Sequence, residues 1–271
     1  MMPLTRRYIP LLAAAALLGA IAPLVEAQTP QSLPGKDVER SYPIAQSTNA
    51  ERAYRQAEAA FDRGNNELAI QHYTDAIQAN PTHVKAYIGR GFARYRIGQR
   101  QEAMADYNRA LELDPASIEA YIGRGVVAYV LGQTNRSLAD YTKAIELSPD
   151  LAAAYLGRGR IYAELDDYRR AVQDYNQAIR LDETLADAYA NRGLARWYLK
   201  DSRGAKEDYD RALDLDPENA NAYAGRASVR FVEGDRRGAA ADLKKAAQIY
   251  SDRGDEETAK TIKDLLEALQ G

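Results

Sequence analysis

Apolar and small side chains return along this chain in two rhythms. The short one is helical. In the stretch 84–117, Ala86, Tyr87, Arg90, Gly91 and Arg94 fall at helical spacing, and Gly98 ends that helix. Ala103, Tyr107, Ala110 and Leu111 then share one face of a second helix. Pro115 follows, where the next unit starts and a missing N–H costs nothing. The long rhythm has a period of 34 residues. The same pattern begins again at Ile118, Ala152, Ala186 and Ala220, and a looser copy precedes it from Ala50. A fixed period of this size marks an array of identical supersecondary units.

Small residues recur where two helices must touch. On the first helix they are Ala57, Gly91, Gly125, Gly159, Gly193 and Ala227. On the second they are Ala69, Ala103, Ser137, Ala171, Ala205 and Ala239, and one turn on Ala76, Ala110, Ala144, Ala178, Ala212 and Ala246. Tyr73, Tyr107, Tyr141, Tyr175 and Tyr209 fill the gap between units, with Leu243 in that place last. A glycine inside a helix costs about 1 kcal/mol against alanine, so its repetition implies close backbone approach. The pattern carried by Tyr87, Gly91, Ala103, Tyr107, Ala110 and Pro115, and by their equivalents, resembles the tetratricopeptide repeat family. The resemblance covers Ala50 to about Arg253. It implies an all-α fold, a right-handed α-solenoid of six helix-turn-helix repeats (50–83, 84–117, 118–151, 152–185, 186–219 and 220–253). Glu183 and Ser251 depart from it by replacing proline. The first predicts a looser joint between repeats four and five, the second a last helix that runs on.

The ends read differently. Met1 to Ala27 has the form of a cleavable export signal: Arg6 and Arg7, an apolar run from Ile9 to Leu24, and Val25-Glu26-Ala27 before Gln28. The run is short for a membrane span and broken by Pro10 and Pro23, so no transmembrane segment is expected once it is removed. This places the protein outside the cytoplasm, in the periplasm, another extracytoplasmic lumen, or secreted. Residues 28–49 are polar, hold Pro30, Pro34 and Pro43, and lack periodicity, which predicts a flexible linker. Residues 254–271 supply a capping helix, with Ala259, Ile262, Leu265, Leu266 and Leu269 as its apolar stripe.

Charge and composition narrow the chemistry. Lys and Arg number 36 against 39 Asp and Glu, a net −3, without the basic footprint of a nucleic-acid binder. There is no cysteine, which excludes disulfides and thiol catalysis. His72 and His83 do not recur and are expected on helix surfaces. No convergent set of acid, base or nucleophile is visible, so no catalytic residue, metal site or cofactor is assigned. Gly89-Arg90-Gly91 resembles the start of a dinucleotide loop, but it recurs without a preceding strand and reads as repeat packing. Asn135-Arg136-Ser137 is a formal glycosylation sequon whose Ser137 sits at a packing position. Arg253-Gly254-Asp255 reads as a helix stop and an N-cap.

Two rows remain. Arg90, Arg124, Arg158, Arg192 and Arg226 hold one position, and Asp106, Asp140, Asp174, Asp208 and Asp242 another sixteen residues on; both change together in repeat one, to Gln56 and His72. That covariation predicts a ladder of ion pairs between the two helices of each repeat. In the family resembled, the first helix of each unit lines a concave face that binds peptides. Carried over, the partner-binding groove comprises Phe92, Tyr95, Val126, Tyr129, Leu156, Arg160, Leu194, Trp197, Tyr198 and Phe231. Ala163 interrupts the aromatic row and would leave a pocket. Lys85 and Asn191 alone fit a carboxylate clamp, three repeats apart, so that arrangement is rejected. The implied function is a non-catalytic exported scaffold or assembly factor that binds a protein or peptide. The alternative is a self-associating structural protein of the cell envelope, so a homo-oligomer is possible.

Overall fold

The computed structural model describes residues 44–270, so the expected export signal and most of the expected linker lie outside the described residues. Thirteen α-helices and no strand occur among the described residues. The fold class is an all-α repeat solenoid, divided into two compact units at Leu151. The first unit holds α1 (Ile44–Asp62), α2 (Asn66–Ala79), α3 (Val84–Arg96), α4 (Arg100–Leu113), α5 (Ile118–Val130) and α6 (Thr134–Leu147). The second holds α7 (Ala152–Glu164), α8 (Tyr168–Leu181), α9 (Ala186–Tyr198), α10 (Ser202–Leu215), α11 (Ala220–Val232), α12 (Arg236–Asp252) and α13 (Glu256–Gln270). Within each unit every helix packs on the next, and the first helices of neighbouring repeats also touch. One boundary differs from expectation: α1 begins at Ile44, inside the stretch read as linker.

The turns explain the helix ends. Inside a repeat the chain passes through the left-handed region, at Gly98 with φ +82° for example. Repeats four and five do the same with Asp166 and Lys200, at some steric cost to a residue with a Cβ. The next residues then cap the second helix: Asn65, Asp167, Asp201 and Asp235 each accept from a backbone N–H three positions on.

Between repeats the link is a side-chain turn. Asn80, Asp114 and Asp216 accept from the N–H two residues later, spanning the proline. Asp182 does the same to Thr184 at 2.9 Å, across Glu183. The joint between repeats four and five is therefore closed like the others, and the looser joint expected from the missing proline is corrected. An Asx turn fixes the bend, and proline only pre-sets it. Where Ser251 replaces the last proline, α12 runs on to Asp252.

The core of each unit sets buried tyrosines between small residues. Tyr107 is 2 % exposed and lies between two glycines. A Cβ on Gly91 of its own repeat would meet the ring at 3.2 Å, and one on Gly123 of the next repeat at 2.4 Å. The Gly-Arg-Gly of repeats two and three thus each clear two tyrosines, one on each side, which accounts for the sequence that resembles a dinucleotide loop. In repeat five Asn191 replaces the outer glycine, and the Tyr175 ring lies closer to the glycine behind it, 2.7 Å from a Cβ on Gly159. Burial pushes the hydroxyls of Tyr107 and Tyr209 far above the ordinary tyrosine pKa.

At the far end α13 lays Ala259, Ile262 and Leu265 on a buried cluster with Leu243, Ala246 and Tyr250, with Leu266 and Leu269 packed against it. Gly254, at φ +79°, ends α12, and Asp255 accepts from Thr258 N–H. The Ser137 hydroxyl is buried and donates to Gly125 O at 2.7 Å, so the sequon serves packing.

Candidate functional site

The arginine ladder is built as the covariation implies. Arg158 Nε and Nη2 each meet Asp174 at 2.8 Å, and Arg124 holds Asp140 with the same fork. The aspartates are nearly buried, and the guanidinium does more than pair. Arg90, Arg124, Arg192 and Arg226 reach back with Nη1 to Thr74, Asn108, Asn176 and Asp210 on the second helix of the preceding repeat. Each also lies over a tyrosine of its own helix, Arg124 over Tyr121 at 5.6 Å. In repeats two, five and six a second arginine, Arg94, Arg196 or Arg230, takes the same aspartate. These guanidinium groups are spent on holding three helices together.

The histidines are not alike. His72 lies on α2 with Asp75 at 3.7 Å. His83 is not surface, as expected, but the N-cap of α3: Nδ1 accepts from Ala86 N–H at 3.2 Å and the ring stacks on Tyr54 at 5.0 Å. Desolvation lowers its pKa, against the pull of Glu51 3.8 Å away. The capping nitrogen must be unprotonated. A folded pKa below the unfolded 6.5 means that the cap contributes fully above about pH 6.5 and is lost as pH falls through the lowered value. His83→Asn keeps an acceptor at every pH. Between pH 7.5 and 5 the variant should therefore lose less stability than the natural chain, by up to about 1 kcal/mol; parallel melting curves across that range would count against the cap.

The expected groove residues fall into two sets, one in each unit. In the first unit Phe92, Tyr95, Val126 and Tyr129 are half-buried. Phe92 packs on Phe61 at 5.2 Å, and Arg96 lies over Phe61 at 5.7 Å. Phe61 was not among the expected residues. It holds in repeat one the register of Tyr95 and Tyr129, and that signal could have found it. In the second unit Leu156, Arg160 and Leu194 are 4, 9 and 7 % exposed, and belong to the interior more than to an open trough. Ala163, where a pocket was expected, is buried in one cluster with Leu156, Tyr175 and Ala195. Trp197 is half-buried against the cluster that holds Ala205 and Tyr209, and Phe231 against the end cluster. Tyr198 leaves the row and stacks on Tyr168 at 4.4 Å, nearly parallel, with the Tyr168 hydroxyl on Asp166.

A polar chain crosses this second set. Arg160 Nη2 meets Asp187 Oδ2 at 3.1 Å, and Asp187 Oδ1 accepts from Asn219 Nδ2 at 3.2 Å. Asn219 in turn caps α11 through Ala222 N–H. Two residues along, Asn221 accepts from the Tyr250 hydroxyl, whose pKa is pushed up to about 12, chiefly by burial. Among the described residues no group of three His, Asp or Glu side chains could hold a metal ion, and no helix is long and apolar enough to cross a membrane.

Family models described as tetratricopeptide or TPR repeats match residues 54–118, 128–166, 159–199 and 186–219. The chain belongs to the tetratricopeptide repeat family. No curated protein matches it. Solved structures share the fold at low identity. A tetratricopeptide repeat protein from Parabacteroides merdae is 21 % identical, with 83 % of this chain and all of that one aligned at a TM-score of 0.63. PilF of Pseudomonas aeruginosa is 15 % identical, covering 79 % of this chain and 97 % of that one at 0.68. YrrB, described as a TPR protein with an unusual peptide-binding site, is 23 % identical, covering 71 % and 97 % at 0.54. The first helices of its six repeats are α1, α3, α5, α7, α9 and α11.

Proposed function

We propose that this protein is a non-catalytic scaffold or assembly factor, exported from the cytoplasm, that binds a partner polypeptide on the inner face of its repeats. The observation that carries the reading is the pair Trp197 and Phe231. Both occupy the same register on successive inner helices, and both are only half-buried. Ala163, one repeat earlier, shows that a repeat closes without a large ring at this register. Membership of a family of protein-binding repeats supports the same reading, as does the peptide-binding site named for YrrB. Large aromatic side chains offer contact area with little rotamer entropy to lose, and they dominate interface energetics.

Crosslinking from the envelope fraction, with the natural chain and a Trp197→Ala variant side by side, tests the proposal. The variant should bind the captured partner about thirtyfold more weakly, or about 2 kcal/mol, with its helical melting transition intact. Normal binding together with a lost transition would make Trp197 a core residue and sink the assignment. Sequencing the mature N-terminus tests export: it should begin at Gln28.

A further inference from the structure

Resting on the peptide-binding reading, a more specific role falls to Arg160. Its Nε and Nη1 are buried and have no hydrogen-bond partner, while Nη2 makes a single bond to Asp187. The ladder arginines give a whole edge to a carboxylate; Arg160 gives one nitrogen. Nor does packing require a guanidinium here, because the next two repeats carry Leu194 and Ser228 at the same register. Leaving charged donors buried and unmatched is costly, so the residue has a use that the free chain does not fulfil. Asp187 beside it is the accessible end of the pair, with 29 % of its side chain exposed.

We propose that Arg160 anchors the main chain of an extended peptide, with Nε–H and Nη1–H donating to two separate carbonyl oxygens while Asp187 stays on Nη2. Guanidinium geometry selects this ligand. Nε–H and Nη1–H lie on different edges of the plane, whereas the two oxygens of one carboxylate match a single edge, as at Arg158 and Asp174. Charge selects it too. Asp187 already balances Arg160, and the exposed Glu164 four residues on adds a negative charge, so a peptide carboxylate is repelled and a neutral carbonyl is not. Both nitrogens are covered in the free chain, so taking a peptide requires the guanidinium to turn outward about its bond to Asp187.

The test uses the full chain and a phage-displayed library of 12-residue peptides. A selected peptide is synthesised as the C-terminal amide and as the free acid, and titrated by calorimetry into the natural chain and into Arg160→Met, Arg160→Lys and Trp197→Ala. The amide should bind as well as the acid. Arg160→Met should lose affinity about tenfold or more with its helical melt unchanged or raised. Arg160→Lys, which keeps the charge beside Asp187, should lose a similar factor because it lacks the second edge. A free acid that binds tenfold tighter than the amide overturns the carbonyl assignment. Full affinity in both Arg160 variants with a weakened Trp197→Ala overturns the anchor and leaves the binding face standing. If no peptide is selected, or none of the variants weakens binding, both readings fall.

Discussion

Tyr209→Ala will destabilise the unit from residue 151 onward by about 3–5 kcal/mol, the range for deleting a large buried ring. Tyr209 is 2 % exposed and lies in one cluster with Ala190, Ala205, Ala212, Leu213, Ala222 and Val229. Four of these neighbours are alanines, with no longer side chain to swing into the gap. A Cβ on Gly193 would sit 3.0 Å from the ring and one on Gly225 2.3 Å, so the ring is gripped from its own repeat and from the next. Gly225→Ala alone should therefore cost about 1–3 kcal/mol by overpacking. In the Tyr209→Ala background the added methyl enters empty space, and its penalty should vanish or reverse. Chemical denaturation of the four chains measures this. A neutral Gly225→Ala in the natural background would show that the ring gives way and does not set the spacing between repeats. Leu199→Ala is the control: at 40 % exposure it should change stability by less than about 0.5 kcal/mol.

What could be read from the chain beforehand was whatever repeats. The core tyrosines, the small residues around them and the Arg–Asp ladder recur every 34 residues, and recurrence separates a packing rule from chance. The paired loss at Gln56 and His72 turns two rows into one contact. Features that occur once or sit off the period stayed hidden. Proline draws attention at Pro81, Pro115 and Pro217, yet the turn is made by the residue before it, and only Asp182 on Thr184 reveals that the bend survives Glu183. His83 looked like surface because imidazole is a rare helix cap. Tyr198 looked like groove because register places it beside Trp197, but the stacking partner comes from another helix, at Tyr168.

The binding face was the least legible part for a related reason. Register says which side of α7 and α9 a residue occupies, not how closely those helices approach. Leu156 and Leu194 share a face with Trp197, but only the tight approach at Ala163 and Ala195 shows that they are interior. The side chain that stands out after folding is Arg160, and it does so through a mismatch that no pattern carries. Its donors exceed the acceptors around it, whereas Arg158 at the ladder position is matched.

That matching makes the ladder aspartates the most consequential polar residues of the fold, and Asp208 the foremost in the second unit. It is 3 % exposed and carries two arginines: Arg192 through Nε and Nη2 at 3.0 and 2.6 Å, and Arg196 through Nη1 at 2.9 Å. Burial raises the pKa of its carboxyl group, against both arginines, so the site already spends free energy on keeping the charge dry. Removing the carboxylate leaves that cost on the two guanidinium groups, and breaking a buried pair in this way costs about 3–5 kcal/mol. Asp208→Ala should fall in that range. Asp174→Ala should cost less, because Arg158 alone is orphaned there, Tyr162 stands where the second arginine would be, and the Tyr155 and Tyr162 rings keep contact with the Arg158 cation at 5.8 Å. Replacing Asp208, Arg192 and Arg196 together with leucine should recover most of the loss, since an apolar trio leaves no charge unpaired. Denaturation midpoints of the three chains decide the matter. If Asp174→Ala proves as costly as Asp208→Ala, the second arginine carries no weight; if the triple variant is no better than Asp208→Ala alone, the ladder stabilises through its bonds and not by balancing buried charge.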